Sequence, residues 1–201
     1  MWNYLRLAGL ASVVAAFLGG AATAGYDDGT AAYARGDYAR ALQEWLPLAG
    51  RGDVAAELRV GQMLRDRQGV RWRDFEGAAA WFRRAAAQGS AEAQYALGRL
   101  HYEGFLVPRN TAEMRNVLKA AAWRGHARAQ LTLGVIYEYG LDDIDHDYTA
   151  ALMWYELAAR RGVPELDGKI VRLRARVSEK MTQAQIAEAL RLAKAWPSAV
   201  E

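Results

Sequence analysis

The most acidic stretch of the sequence is LDDIDHDY, in which aspartates alternate as at the start of a calcium-binding loop. Asp143, Asp145 and Asp147 would supply oxygen ligands at the first, third and fifth positions. Such a loop also needs Gly at position six and Glu at position twelve, where this chain has Tyr148 and Trp154. A solvated loop ending at a helix N-terminus, where carboxylates are favoured, is the simpler interpretation. A calcium-tuned scaffold remains the alternative.

Histidine and cysteine offer no clearer chemistry. The three histidines are His101, His126 and His146, and no His-Glu-x-x-His pair or similar ligand spacing occurs. The chain has no cysteine, which excludes disulfides and thiolate metal sites. The glycines are not clustered as in a phosphate-binding loop. We therefore predict no cofactor, no metal and no catalytic residues, and a protein that is not an enzyme.

Composition and charge indicate a folded protein without a nucleic-acid surface. Hydrophobic residues make up 52% of the 201 residues, which is typical of a globular chain rather than a disordered one. The 26 basic and 23 acidic residues leave a net charge of only +3. Basic residues form short clusters, such as RDRQGVRWRD, rather than the concentrated stripe expected of a DNA- or RNA-binding face.

The first 24 residues have the order of a secretory signal peptide. Arg6 is followed by the apolar run Leu7–Leu18 and then by small residues that include the Ala22–Ala24 cleavage pattern. A spanning helix needs about 20 apolar residues, and this run is shorter. We predict cleavage after Ala24, with an uncleaved anchor as the alternative. In both cases residues 25–201 would be exported, so the expected location is periplasmic or secreted, with no other membrane contact.

A regular spacing of glycines organises the rest of the chain. Gly52, Gly89, Gly125 and Gly162 recur at intervals of 36 or 37 residues, and similar Ala-rich phrases surround the first three. A fixed period of this size is typical of a solenoid, in which each unit buries its apolar face against its neighbours.

Each unit contains the pattern of two helices joined by a loop. The first helix, such as SAEAQYALGRLHYEG, and the second, such as TAEMRNVLKAAAWRG, both carry apolar residues at helical spacing. The glycines that end the second helices suit the left-handed conformation at a helix C-terminus. The expected N-caps of the second helices are Asp74, Thr111 and Asp147.

A second set of glycines lies inside the first helices, at Gly61, Gly98 and Gly134. Glycine costs about 1 kcal/mol relative to alanine in a helix interior, so its recurrence predicts a close approach of the neighbouring helix. Large side chains of the second helices would fill the spaces between layers: Trp81, Phe82, Leu118, Trp154 and Tyr155.

The motifs EAQYALGRLHYEG and ALMWYELAARRG resemble the Sel1-like repeat family, which is related to tetratricopeptide repeats. Residues 93–134 and 134–162 match well, whereas 56–89 departs in its first helix, where Arg67 replaces a glycine. The segment 26–52 is similar to a degenerate opening repeat. The segment MTQAQIAEALRLAKAW is similar to a closing helix, with Thr182 and Gln185 placed for a capping box.

The resemblance implies an all-α fold, a right-handed α-solenoid of about four helix pairs after the signal peptide. We expect a signal peptide at 1–24, the solenoid at 25–196 and a short tail at 197–201. The expected units are 26–52, 53–89, 90–125 and 126–162, with a cap at 163–196.

The resemblance also implies an exported, non-catalytic protein–protein interaction module, acting in envelope assembly or periplasmic signalling. The alternative is a cell-wall or β-lactam hydrolase, since some family members are described as binding penicillin-type compounds. A Ser-x-x-Lys nucleophile motif would support that alternative. No serine of the chain has Lys three positions later.

By analogy with the tetratricopeptide fold, the first helices would line a concave groove that binds a protein or peptide. Positions three before, one after and four after each interior glycine would face the partner. Tyr and Arg at these positions are of the types enriched in binding hot spots. The predicted groove residues are Leu58, Gln62, Arg65, Tyr95, Arg99, Tyr102, Leu131, Val135, Glu138 and Arg172.

Overall fold

The structure, a computed structural model, describes residues 25–106 and 110–197. The predicted signal peptide and most of the tail therefore lie outside the described residues. Within them the chain forms α-helices and no β-strand. None of these helices is both long and apolar enough to cross a bilayer. The helices are α1 Tyr26–Ala34, α2 Tyr38–Gly50, α3 Val54–Asp66, α4 Phe75–Ala87, α5 Ala91–Tyr102, α6 Thr111–Trp123, α7 Ala127–Tyr139, α8 Tyr148–Ala159, α9 Pro164–Ser178 and α10 Gln183–Ala195.

Four consecutive helix pairs stack into an α-solenoid. Within each of units 1 to 4 a first helix packs on a second helix: α1 on α2, α3 on α4, α5 on α6 and α7 on α8. Each second helix then contacts the first helix of the following unit, and α8 contacts α9 in the same way. The predicted all-α solenoid is confirmed.

Polar side chains cap the helices close to where the sequence placed them. Asp74 accepts a hydrogen bond from Gly77 N at 2.8 Å and begins α4, and Asp147 begins α8. The prediction for α6 was wrong by one residue, because Asn110, and not Thr111, accepts the bond from the backbone of Glu113. Thr111 instead donates to Asp142. The Thr182–Gln185 capping box at α10 is present.

The glycines that follow the second helices have the backbone conformation that the sequence predicted. Gly52, Gly89, Gly125 and Gly162 have φ between 57° and 91°, the left-handed region that glycine enters without steric cost. Arg67, which ends α3 where the related units have glycine, has φ 60°. An arginine therefore adopts there a conformation that is unfavourable for a residue with a Cβ atom.

The interior glycines are points of close helix contact, as predicted. A Cβ atom on Gly61 would lie 2.5 Å from Phe82 Cε1, and one on Gly98 would lie 2.6 Å from Leu118 Cδ2. A Cβ atom on Gly134 would meet the ring of Tyr155. Unit 1 has the same contact, which the sequence reading missed, because a Cβ on Gly29 would lie 2.7 Å from Trp45 Cδ1.

A buried amide links consecutive units. Gln94 donates from Nε2 to Ala86 O at 3.2 Å, and Gln130 donates to Ala122 O at 3.0 Å. Each glutamine therefore caps a carbonyl of the preceding second helix, eight residues earlier. Ala86 O and Ala122 O also accept from Gly89 N and Gly125 N at 3.0 Å, so each amide supplies a second hydrogen bond to a carbonyl of the last helical turn, where the regular intrahelical donor is missing.

In unit 2 charged side chains make the contact that a glutamine makes in units 3 and 4. The equivalent residue is Glu57, whose carboxylate cannot donate to the equivalent carbonyl, Ala49 O. Arg84 takes over that role, because it donates to Ala49 O at 2.8 Å and pairs with the fully buried Glu57 at 2.8 Å. Gln88 also donates to Glu57 at 2.9 Å. The Glu57–Arg84 ion pair thus takes the place that Gln94 and Gln130 have in the following units.

We expect Glu57→Gln to leave stability within about 1 kcal/mol of the wild type, because the amide can bond Ala49 O as its counterparts do. Arg84→Ala should cost about 1–2 kcal/mol in the wild type and almost nothing when combined with Glu57→Gln, since no buried charge is then left unpaired. Urea unfolding of the four proteins in a double-mutant cycle measures this coupling. If Arg84→Ala lowered the free energy of unfolding equally with Glu or Gln at position 57, Arg84 would not be needed to compensate the buried Glu57 carboxylate.

The last helix departs from the repeat. Helix α10 packs on α8 instead of pairing with α9, and it buries Ala189 and Ala193 there. Arg160 holds its end by donating to Ala193 O at 2.6 Å. Trp196 lies between Trp123 and Trp154, with ring centroids 4.3 Å and 4.8 Å away. The predicted closing helix thus packs on unit 4, and through Trp196 it also contacts unit 3.

Candidate partner-binding face

The ten predicted groove residues fall into three rows along the first helices, and the rows differ in exposure. The row three positions before each interior glycine is largely inaccessible. Tyr95 is 9% exposed and Leu131 is 5% exposed, and Leu58 packs partly against the core of units 1 to 3. These side chains act mainly in packing, so they offer little surface to a partner.

The row one position after Gly61, Gly98 and Gly134 is accessible, and Arg172, which follows Val171 of α9, extends it. We call this set the accessible row: Gln62, Arg99, Val135 and Arg172. The first three are partly exposed and Arg172 is exposed. The row crosses α3, α5, α7 and α9 in succession, which places polar, cationic and aliphatic side chains along one face.

The third row is mixed. Arg65 is half-exposed and donates two hydrogen bonds of 2.7 Å to Asp66, and Tyr102 is half-buried. The Asp66 carboxylate raises the pKa of Arg65 above its ordinary value. Glu138 in contrast is 3% exposed. Glu138, which we predicted to line the groove, is therefore an interior residue.

Glu138 is the centre of a buried network that joins three helices. The hydroxyl of Tyr155 donates to Oε2 at 2.7 Å, and Arg176 donates to Oε1 and Oε2 at 2.7 Å and 2.8 Å. Burial and the adjoining carboxylate raise the pKa of the Tyr155 hydroxyl far above its ordinary value, so the phenol stays protonated and continues to donate. The network attaches α9 to unit 4.

Beside the accessible row, an aromatic and charged cluster bridges units 3 and 4. Tyr95 stacks on His126 with a centroid separation of 4.5 Å, and His126 contacts Glu92 through Nε2 at 2.8 Å. The hydrogen bond from His126 lowers the pKa of Glu92, and burial raises the pKa of Tyr95. The sequence analysis considered His126 only as a possible metal ligand, so this cluster was not predicted.

The acidic loop before α8 is built from side chains with structural partners. Asp142 accepts from Thr111 at 2.8 Å, Asp143 lies 3.7 Å from Arg115, and Asp147 caps α8. Across the described residues, His, Asp and Glu form no group of three or more that could hold a metal ion. The calcium alternative therefore has no ligand set in this loop.

His101 lies in the core and is 2% exposed. Its Nε2 contacts Glu113 Oε2 at 3.0 Å, and its Nδ1 accepts from Asn110 N at 3.4 Å. This arrangement requires a neutral ring with its proton on Nε2. Burial lowers the pKa of His101, against the opposing effect of Glu113. A histidine enclosed in this way cannot reach a substrate, so the pair does not support the hydrolase alternative.

We expect His101 to make stability fall as the pH is lowered. Because the folded-state pKa of this ring is depressed, the unfolded chain binds more protons than the folded chain once the pH drops below about 6.5. The stabilisation from the neutral His101 ring is thus complete above that pH, and it is lost as the pH falls toward the folded-state pKa. Melting temperatures between pH 7.5 and 5.5 should decline less in His101→Leu, which copies Leu64 of unit 2.

His146→Gln is the matched control, since His146 is exposed in the loop before α8. This variant should keep the pH dependence of the wild type. A decline of the same steepness in His101→Leu would show that another group is responsible.

Comparison with known proteins agrees with this geometry. The Sel1 repeat profile matches residues 54–90, 91–113 and 127–163, which cover units 2 and 4 and the first part of unit 3. A solved protective antigen from uropathogenic Escherichia coli strains with an SLR fold is 29% identical, with a TM-score of 0.70 over 78% of this chain and 32% of that one. The chain belongs to the Sel1 repeat family. Such repeats are typically protein–protein interaction modules on a generally non-catalytic scaffold.

Other relatives share parts of this Sel1 repeat array. A Sel1 repeat protein from Oxalobacter formigenes has the same fold, with a TM-score of 0.65, 24% identity, and coverage of 86% of this chain and 68% of that one. The chitin synthase regulator SKT5 of Saccharomyces cerevisiae is 34% identical over 41% of the chain, and chitin synthase regulatory factor 3 of Schizosaccharomyces pombe is 33% identical over 42%. The matches span only 12% and 9% of those two proteins.

Proposed function

We propose that this Sel1 repeat protein is an exported adaptor that binds a protein or peptide partner along the accessible row. The carrying observation is that one helical register stays open on α3, α5, α7 and α9, whereas each adjacent register is buried in at least one unit. An extended face of this kind suits an extended segment of a partner. Arg residues within the row are of the type enriched at binding hot spots.

The N-terminal pattern supports export, and the relatives support a regulatory rather than a catalytic role. Two matched proteins are named as a regulator and a regulatory factor of chitin synthase. By analogy we propose that the chain regulates or assembles envelope components in the periplasm. N-terminal sequencing of the exported protein should show a start at Gly25, and a start at Met1 would favour the uncleaved anchor.

The accessible row is tested by Gln62→Ala with Arg99→Ala and Arg172→Ala. We expect binding to a partner isolated by pull-down from the periplasm to weaken at least about tenfold, because hot-spot truncations cost about 2 kcal/mol each. The dissociation constant is measured by calorimetry, and circular dichroism checks that the helices are retained.

The matched control changes one glutamine and two arginines on or after second helices: Gln43→Ala, Arg51→Ala and Arg124→Ala. All three residues are exposed. This control should bind the partner as the wild type does. If the control weakens binding and the accessible-row variant does not, the partner uses the second helices and the proposal is wrong.

A further inference from the structure

The described parts of the loops between first and second helices lie in sequence along one edge of the solenoid. Phe105 of the unit 3 loop stacks on Phe75 at the start of α4, with ring centroids 4.4 Å apart. The unit 4 loop touches the start of α6, where Asp142 accepts from Thr111 and Asp143 lies near Arg115. We call this side the loop edge.

The unit 2 part of the loop edge carries a basic, aromatic projection. Trp72 is 65% exposed, the highest value among the exposed large apolar side chains of the described residues. Arg71 lies over its ring at 5.1 Å. The base of this projection is held in place, because Tyr33 donates to Gln68 at 2.9 Å. Three arginines and no acidic residue occur between positions 67 and 73: Arg67, Arg71 and Arg73.

The unit 4 part of the loop edge carries the complementary features. A cavity of about 560 Å³ opens there, with Tyr137, Tyr148 and the carboxylates of Asp143 and Asp145 in its lining. Its volume exceeds that of an indole side chain. Lys119 also lines it, and an ammonium group stabilises an aromatic ring through cation–π contact. Asp145 is exposed, and Asp143, although 3.7 Å from Arg115, keeps 60% of its side chain exposed, so both carboxylates are accessible to an approaching arginine.

The two features lie one unit to either side of unit 3 on the same edge. A two-fold rotation beside unit 3 would therefore bring unit 2 of each copy to unit 4 of the other. In such an isologous contact the same pair of surfaces meets twice, so a chain needs both partners of the pair on one face. This chain has both: a projection that carries arginines, and a cavity in whose lining three aspartates outnumber the two cationic side chains, Arg115 and Lys119.

We propose that two copies of the chain associate through the loop edge as a two-fold dimer. Trp72 of each copy enters the cavity of the other, and Arg71 and Arg73 pair with Asp143 and Asp145. This contact does not involve the accessible row, so the dimer would present two such rows to partners. The dimer therefore does not rest on the proposed adaptor function.

The experiment uses two charge-reversed variants of the purified chain, one with Arg71→Asp and Arg73→Asp and the other with Asp143→Arg and Asp145→Arg. By light scattering at about 50 µM, above the roughly micromolar dissociation constants of weak standard-size interfaces, the wild type should have twice the mass of its monomer. Each variant alone should be monomeric, because like charges then meet at both contacts. An equimolar mixture of the two should recover the dimer mass.

Recovery in the mixture separates lost contact from lost folding, because an unfolded chain would not regain its partner. Trp72→Ala should weaken the wild-type dimer at least about tenfold, and Lys169→Asp with Lys194→Asp, the same charge change on exposed residues of α9 and α10, should leave it intact. A monomeric wild type at this concentration, a mixture that stays monomeric, or a series of larger assemblies would each overturn the two-fold arrangement.

Discussion

Gly134→Leu is expected to lower the free energy of unfolding by about 3 kcal/mol or more, the largest effect of any single change considered for this chain. Even a Cβ atom at this position would lie 2.5 Å from Tyr155 Cδ1. The ring cannot move aside, because Tyr155 is fully buried and its hydroxyl is bound to Glu138. Relief therefore requires α7 and α8 to separate, which opens the core of unit 4.

Thermal unfolding followed by circular dichroism measures this effect, and a loss of about 3 kcal/mol corresponds to roughly 6–12 °C in a domain of this size. Gly50→Leu is the control, since Gly50 lies at the exposed end of α2 with no atom within 4 Å of an added Cβ. The control should melt within about 2 °C of the wild type. Equal melting temperatures for both variants would show that α7 and α8 are not in close contact at Gly134.

Glu138→Ala is expected to cost about 2–3 kcal/mol, the second largest effect. The change removes the acceptor of the Tyr155 hydroxyl, and a buried donor without a partner costs about 1–3 kcal/mol. Arg176 contributes less to this loss, because its side chain is 42% exposed and can turn to water. Urea unfolding at neutral pH measures the change in stability.

A paired change separates the buried hydrogen bond from simple loss of volume. Glu138→Leu should be nearly as harmful as Glu138→Ala, because the hydroxyl remains unpaired. Combining Glu138→Leu with Tyr155→Phe should recover part of the loss, since both buried polar groups are then absent. No recovery in the double variant would mean that Glu138 acts only through Arg176.

The periodic features of this fold could be predicted because they depend on short-range rules that repeat. Gly89, Gly125 and Gly162 end helices for a reason contained in their own backbone, and Asp74 and Asp147 cap helices three residues from the amides they bind. Gly98 could be assigned to a close contact because its cost in a helix requires a compensating neighbour. The family assignment follows from the same periodicity.

Periodicity alone did not predict which residues of the binding face are exposed. Alignment on the interior glycines treats Tyr102 and Glu138 as equivalent, but their neighbours differ. Glu138 is buried because Arg176 of α9 reaches it, and Arg176 is 38 residues away in sequence. Which positions of the register remain accessible therefore depends on the adjacent unit, and only the accessible row stays open throughout.

By itself the sequence determined the all-α class, the repeat, the turn and contact glycines, and the absence of cysteine chemistry, since each follows from residue type and local spacing. Only the tertiary structure decided that α10 returns to α8, that Arg84 replaces an amide at Ala49 O, and that Trp72 and the unit 4 cavity lie on one edge. These features depend on packing between segments distant in the chain, where side chains compete for the same space and the same polar partners. The spacing of residues along the chain does not show which of these contacts will form.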